Sequence, residues 1–470
     1  MELVKQLITI MLSMILIISC KSIYGFDEDA SSDSGGSGGG GTITNEDGKV
    51  FPDWYLTEEQ QQQPYSQGPT IVFDSQGDPN IQIYHIPAII VADNGNIVAF
   101  GDNRYRDSVD IGFGRGLIDI VYKVSKDGGK TWSAEKIIEP KSTSEDVKKT
   151  DNKGDVSVFK CLNGKLVALA VSGGGFKSGA NAASPSRMLM SKSLDNGETW
   201  TAWKEVGKES VFDKMRSRGI KRGFATSGRG TTLKSGRLAT CMVGDETGKG
   251  WVAYYLYSDD EGETWNLHPN MQTAKGNWGL SEPKIVGELD NGDLIMTVRN
   301  ASGTEQNRAS TQPRMYGYST DGGVHWGTFA NPSSGMLGYW NSRMKCGNVN
   351  GEAVIWTRAS EHDKTRILHL LTGPNFRQGL AFWLSEDEGR NFKNVRTLIN
   401  VTAYPGQNNS GYTSLDVCGD GTIVTLCEEF NETIAANKMA GYDLVFRRYN
   451  MKYLTKNEVY KTEWYKEIKN

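Results

Sequence analysis

The chain has 470 residues, a formal net charge of −4 at neutral pH, 55 glycines, 12 tryptophans and 10% aromatic residues. That balance suits an all-β protein with many tight turns, and without a basic cluster it counts against nucleic acid as a partner. The six cysteines are scattered and none of the five histidines falls in a ligand spacing, so neither a disulfide framework nor a zinc site is expected, and no cofactor is called for.

Residues 1–20 join a lysine-bearing opening, MELVKQ, to the apolar run LITIMLSMILIIS. The run is too short for a membrane span and has the form of a secretory signal. Ile17-Ile18-Ser19-Cys20 resembles a bacterial lipobox, which would make Cys20 the lipidated first residue of an exported protein held at the cell envelope or surface. An uncleaved anchor with an incidental cysteine is the alternative. Residues 21–65 read as a leash, because SSDSGGSGGGG is flexible by composition and EEQQQQP is polar without periodicity. From residue 66 to residue 470 short alternating strands are separated by glycine-centred turns such as DNGN, LNGK, KSGR, DNGD and GDGT, and nothing suggests a second domain.

Within this region one phrase returns. It reads SKDGGKTW at Ser125–Trp132, SLDNGETW at Ser193–Trp200 and SDDEGETW at Ser258–Trp265, then weakens to STDGGVHW at Ser319–Trp326 and SEDEGRNF at Ser385–Phe392. The aspartates Asp127, Asp195, Asp260, Asp321 and Asp387 are 68, 65, 61 and 66 residues apart, which is a repeat. Each copy lies between two strands, so it is a hairpin turn: the Asp accepts bonds from the turn's own amides, the Gly supplies a positive φ, and the Trp folds back as a plug. A repeat of this length holds about four short strands, the content of a propeller blade. The region has room for six, one without a recognisable turn.

These phrases resemble the Asp-boxes of sialidases and of several other β-propeller families, which implies an all-β, six-bladed propeller and leaves the chemistry to other residues. Ile83-Tyr84-His85-Ile86-Pro87 followed by IVAFGDNR is similar to the sialidase entry motif [YF]-R-I-P with its later arginine. By that resemblance Arg104 lies in the active-site floor, and His85 stands where the family has the first of three arginines that clamp the substrate carboxylate. Asp110, in RYRDSVDIG, matches the loop carrying the family's acid/base aspartate, with Asp107 the nearest competitor. A loop aspartate suits that role if closure over substrate removes water and favours its protonated form. Asp155, in KGDVSVF, matches a D-P-[ST] segment that binds sugar hydroxyls, although Val156 replaces the proline and a turn-capping role stays open.

The stretch from Ser281-Glu282-Pro283 through DNGDL to Val298-Arg299-Asn300 resembles the family's E-P…DG-L…R-N strand pair. It implies Glu282 as the base beside the nucleophile and Arg299 as a carboxylate-binding arginine. Arg377 matches the other triad arginine. Gly411-Tyr412-Thr413-Ser414-Leu415 before DGTIVTLCEE resembles G-Y-S-S-L, which makes Tyr412 the nucleophile. A phenol suits a substrate with its own carboxylate at the reacting centre, because a carboxylate nucleophile would be repelled, and two arginines can grip that carboxylate. The resemblance therefore implies a cofactor-free, monomeric, retaining exo-α-sialidase acting on sialylated glycoproteins or glycolipids. A catalytically impaired sialoglycan-binding lectin or adhesin is the alternative, motivated by His85. A propeller acting on neutral glycans would leave Arg299 and Arg377 unexplained.

Overall fold

Strands form wherever apolar residues alternate over seven to ten positions, and glycine turns set their length. The computed structural model describes residues 41–44, 50–75, 82–105, 108–112, 116–143, 151–175, 185–246, 250–272, 280–300, 313–340, 344, 349–375, 377–403, 409–430 and 442–461. The expected signal peptide with Cys20, and Asp107, lie outside the described residues.

Strands Gln82–Val91, Ile97–Tyr105, Ile118–Ser125 and Lys136–Ile137 make an antiparallel meander in sequence order. The pattern recurs with first strands Gly154–Lys160, Ile220–Ala225, Leu280–Glu288 and Glu352–Thr357. In the last set Ser410–Val417, Ile423–Phe430 and Tyr442–Tyr449 supply three strands, and the fourth, Ser66–Phe73, comes from the beginning of the region. The pair Tyr442–Tyr84 carries that sheet into the first meander. Apolar clusters fill the space between neighbouring sheets, as where Phe159 and Leu169 meet Met242, Tyr254 and Trp265.

All five S-x-D-x-G-x-T-W turns join the third strand of a meander to the fourth. In the first, Asp127 accepts bonds from the Thr131 amide at 2.9 Å and the Thr131 hydroxyl at 2.5 Å, while Ser125 Oγ accepts from the Gly129 amide at 2.8 Å. The weakened copies keep this geometry with substitutes: the His325 amide and ring nitrogen replace threonine around Asp321, and the Asn391 amide and side-chain nitrogen do so around Asp387. Trp265 and Trp326 are fully buried, each donating its indole N–H to the turn glycine's carbonyl at 3.0 Å. The last set lacks a turn for a simple reason. Its fourth strand arrives from the other end of the chain, so no hairpin joins it to the third.

The expected leash ends sooner than residue 65. Trp54, Tyr55, Leu56 and Gln61 are buried. Asp420 accepts from the Leu56 amide at 2.9 Å, and its carbonyl accepts from Gln61 Nε2 at 2.8 Å. Arg448 donates to the Trp54 carbonyl and to Asp420 while its guanidinium sits 4.4 Å from the Trp54 ring. The glutamine run itself forms one helical turn, Glu58–Gln61, closed by a capping box between Thr57 and Gln60.

Candidate active site

The candidate side chains come from the starts of first strands and the ends of second strands, so they share one end of the sheets. The glycine turns DNGN, DNGD and GDGT lie at the other. At the site end the ladders slip, between His85 and Ala88, Gly154 and Ser157, Ser281 and Lys284, and Ser410 and Thr413. Inside three of these slips a residue with a side chain takes a left-handed conformation: Ile86 at φ 55°, Asp155 at 53° and Glu282 at 38°. Arg377, at the hairpin between Arg366–Asn375 and Gln378–Ser385, does the same at 47°. Such conformations cost of order 1–3 kcal/mol each and persist where the surroundings over-determine them; a bulge re-aims the side chain that carries it.

Tyr412, 7% exposed, donates its hydroxyl hydrogen to Glu282 Oε1. Arg299 NH1 donates both to Glu282 Oε2 at 2.6 Å and to the Tyr412 oxygen at 2.8 Å. The phenol thus has a carboxylate to receive its proton and a guanidinium to stabilise the phenolate left behind. Burial, then the charge of Glu282, pushes the Tyr412 pKa well above its ordinary value, against the pull of Arg299 and Arg377. At rest it is a phenol.

Glu428 is the second centre, and the motif reading did not single it out. Its Oε1 faces His85 Nδ1 at 3.2 Å and accepts the Ile86 amide at 2.9 Å; its Oε2 accepts the Tyr412 amide at 2.9 Å and Arg377 NH1 at 3.4 Å. Although burial opposes its charge, these donors hold its carboxyl down at about 2. His85 must then donate through Nδ1, and its Nε2 is buried without a partner among the described residues. Arg377 stacks over the rings of Tyr412, at 5.5 Å, and Tyr442, at 5.9 Å.

The third group surrounds Arg104, which is 2% exposed. Its Nε and NH2 donate to Asp102 Oδ2 at 3.3 and 2.9 Å, and its NH1 donates to Asp110 Oδ1 and to the Ser108 carbonyl at 2.8 and 2.9 Å. Asp102 Oδ1 accepts the Asp155 amide at 2.9 Å. Arg104 therefore secures the loop bearing Asp110 and, through Asp102, the bulge bearing Asp155. Asp102 was missed as well. The signal for each was an acidic residue that follows an apolar half-strand, Asp102 after IVAFG and Glu428 after IVTLC. Among the described residues no group of three His, Cys, Asp or Glu side chains is arranged to hold a metal ion.

Repeated four-stranded meanders with boxed turns, carrying an acid, arginine and tyrosine site at one end, define the class. The model of the BNR repeat-like domain matches residues 114–425, and the chain belongs to that family. Its similarities in sequence are to bacterial sialidases. It is 26% identical over 272 residues to a sialidase of Micromonospora viridifaciens, covering 56% of this chain and 38% of that protein. To a sialidase of Clostridium perfringens it is 28% identical over 250 residues, covering 49% and 59%. The matches thus span less than two thirds of these relatives. Among solved structures, a Hadza microbial sialidase superposes with a TM-score of 0.61 at 18% identity, covering 81% of this chain and 68% of that one. Trypanosoma rangeli sialidase gives 0.61 at 20%, covering 82% and 60%. At such identities the likeness is one of all-β fold.

Proposed function

We propose that this chain is a retaining exo-α-sialidase built as a six-bladed β-propeller with Asp-box turns, removing terminal sialic acid from glycoproteins or glycolipids. The observation that carries the reading is the Tyr412 hydroxyl bonded at once to Glu282 and to Arg299. Arg299 and Arg377 would grip the sugar's carboxylate, with His85, Arg104 and Asp155 lining the rest of the sugar site. Glu282 takes the phenolic proton as the Tyr412 oxygen attacks the anomeric carbon, and Asp110 protonates the departing glycosidic oxygen. Water activated by Asp110 then releases the sugar from Tyr412 with net retention. A structure of the Trypanosoma rangeli enzyme with 2,3-difluorosialic acid is described as a covalent intermediate, which makes the covalent route reasonable here. Lipid attachment at Cys20 belongs to the same proposal and rests on the sequence.

The test is the purified domain with a fluorogenic sialoside and with a 3-fluoro sialosyl fluoride. Turnover, covalent label on Tyr412 and loss of both in Tyr412→Phe are expected; label on another residue refutes the assignment. His85 in place of the family arginine favours one second reading, a glycan-binding propeller without turnover. Saturable sialoside binding with no cleavage by wild type or by His85→Arg would establish it.

A further inference from the structure

Asp155 is 3% exposed, and no described residue hydrogen-bonds to its carboxyl group; Oδ2 is sealed from solvent without a partner among the described residues. Its surroundings are acidic. Asp102, Asp110 and Glu282 act on it from the neighbouring strand, the loop and another sheet, and Arg104 is the cation among them. That guanidinium is already committed, through Nε and NH2 to Asp102 and through NH1 to Asp110 and Ser108. Among the described residues, three carboxyl groups therefore share the Arg104 guanidinium, and Asp155 is the one left without a contact to it.

A carboxylate buried without donors costs several kcal/mol, more beside other negative charges, and such a group takes up a proton instead. Asp102 has the better claim to the negative charge, since it accepts two bonds from Arg104 and one from the Asp155 amide. Even so, burial first of all raises its carboxyl to about 6. Asp155 has none of these supports, and burial followed by the charges of Asp102 and Asp110 raises it well above the ordinary aspartate value. A neutral Asp155 also suits an anionic sugar, because it adds no further negative charge to the site.

We propose that Asp155 is held as a neutral carboxylic acid in the resting protein and donates its hydrogen to an acceptor oxygen of the bound sugar acid. The first half stands on the free protein alone, and the second rests on the proposed sialidase reading. The group sits in a left-handed bulge, so its direction is fixed by backbone and not by a salt bridge. Specificity at this point would then be for an oxygen lone pair, where an ionised aspartate would demand a hydroxyl donor.

Infrared difference spectra of the free soluble domain, wild type minus Asp155→Asn, test the first half. At neutral pH a protonated-carboxyl carbonyl band that shifts in D2O should be lost in Asp155→Asn and kept in Asp110→Asn. Loss of a carboxylate band in its place overturns the proposal. If Asp155→Asn does not fold, wild type carrying carboxyl-labelled aspartate should show one signal at the protonated position at neutral pH in the carbon NMR spectrum, and none there overturns it equally.

For the second half, binding of N-acetylneuraminic acid is measured by calorimetry against pH. Asp155→Ala should weaken it by about fivefold to tenfold, the worth of one hydrogen bond. Wild-type affinity should fall as Asp155 ionises, and Asp155→Asn should lack that part of the fall; subtracting the two profiles removes His85, which titrates in both. Superimposable profiles refute the donor role. If the sugar acid does not bind while the infrared band is present, the sialidase reading fails and the neutral carboxyl stands.

Discussion

Replacing His85 by arginine tests the proposed carboxylate clamp. Nδ1 is committed to Glu428, and burial, reinforced by the charges of Arg104 and Arg377, outweighs that bond and holds the His85 pKa below its usual 6.5. In the free protein at neutral pH the ring is therefore uncharged, with a lone pair on Nε2. A lone pair cannot bond to a carboxylate. If the sugar's carboxylate lies there, binding must bring a proton with it, and the carboxylate raises the imidazole pKa in the complex. Affinity is then full below the free-state pKa, falls as pH rises from that value to the bound-state value, and is level beyond. Each pH unit between the two values is worth a factor of ten, about 1.4 kcal/mol. Calorimetry of a sialic acid analogue in two buffers of different ionisation heat should show uptake approaching one proton inside that window. His85→Arg, whose charge needs no proton, should abolish the His85 share of the uptake and lower the Michaelis constant at neutral pH; His85→Ala should raise it. Unchanged uptake and affinity in His85→Arg at every pH would show that His85 does not meet the carboxylate.

Asp110→Ala should be far more damaging with natural glycosides than with aryl sialosides, whose leaving groups need little protonation; equal losses would move the acid elsewhere. Glu428→Gln should cost about 3–5 kcal/mol in denaturant unfolding, because it removes the buried negative charge that faces Arg377 and accepts from His85 and the Ile86 and Tyr412 amides; a change below about 1 kcal/mol would deny Glu428 its organising role. The five turn aspartates are held below their ordinary pKa by hydrogen bonds within the turns, which outweigh a burial effect that raises it. Their stabilisation is present above the unfolded value near 3.9 and is lost as pH falls through the lowered folded values, so Asp260→Asn should flatten stability against pH in that acid range and leave its shape unaltered at pH 6–8. Replacing Trp54 and Leu56 together by alanine should lower the melting temperature by uncovering Arg448 and Asp420, and an unchanged thermal unfolding curve would show that this stretch is not part of the folded unit.

Local signals carried the sequence reading a long way. A turn writes its geometry into eight consecutive residues, so the boxes were visible even where His325 or Asn391 replaces threonine. That one set of strands lacks such a turn was visible too, but the cause was not, since Ser66–Phe73 pairs with Tyr442–Tyr449 across nearly the whole chain. Low-complexity glutamine masked the packed stretch after residue 50, although Trp54, Tyr55 and Leu56 beside it were apolar enough to mark a buried segment. Residues framed by motifs, such as Glu282 before Pro283 and Tyr412 after Gly411, could be named as candidates one by one, and the structure brings these two into contact. Asp102 and Glu428 were given no role, although Glu428 closes the DGTIVTLCE stretch after Tyr412, because their work is to accept amides and guanidinium groups from other strands. The left-handed Ile86 was equally hidden.

The packed stretch before the first meander also acts as a mechanical handle. It grips Asp420 and Arg448 beyond the end of Ser410–Val417 that is remote from Tyr412, roughly 20 Å away at about 3.3 Å per residue. A pull on the chain just before Trp54 is borne by the Trp54, Leu56 and Gln61 contacts before it reaches the strand Ser66–Phe73. The mouth formed by Glu282, Arg299 and Tyr412 therefore lies at the opposite end of the sheets from these contacts, and strain entering at Trp54 has the length of a strand in which to dissipate before it reaches the phenol.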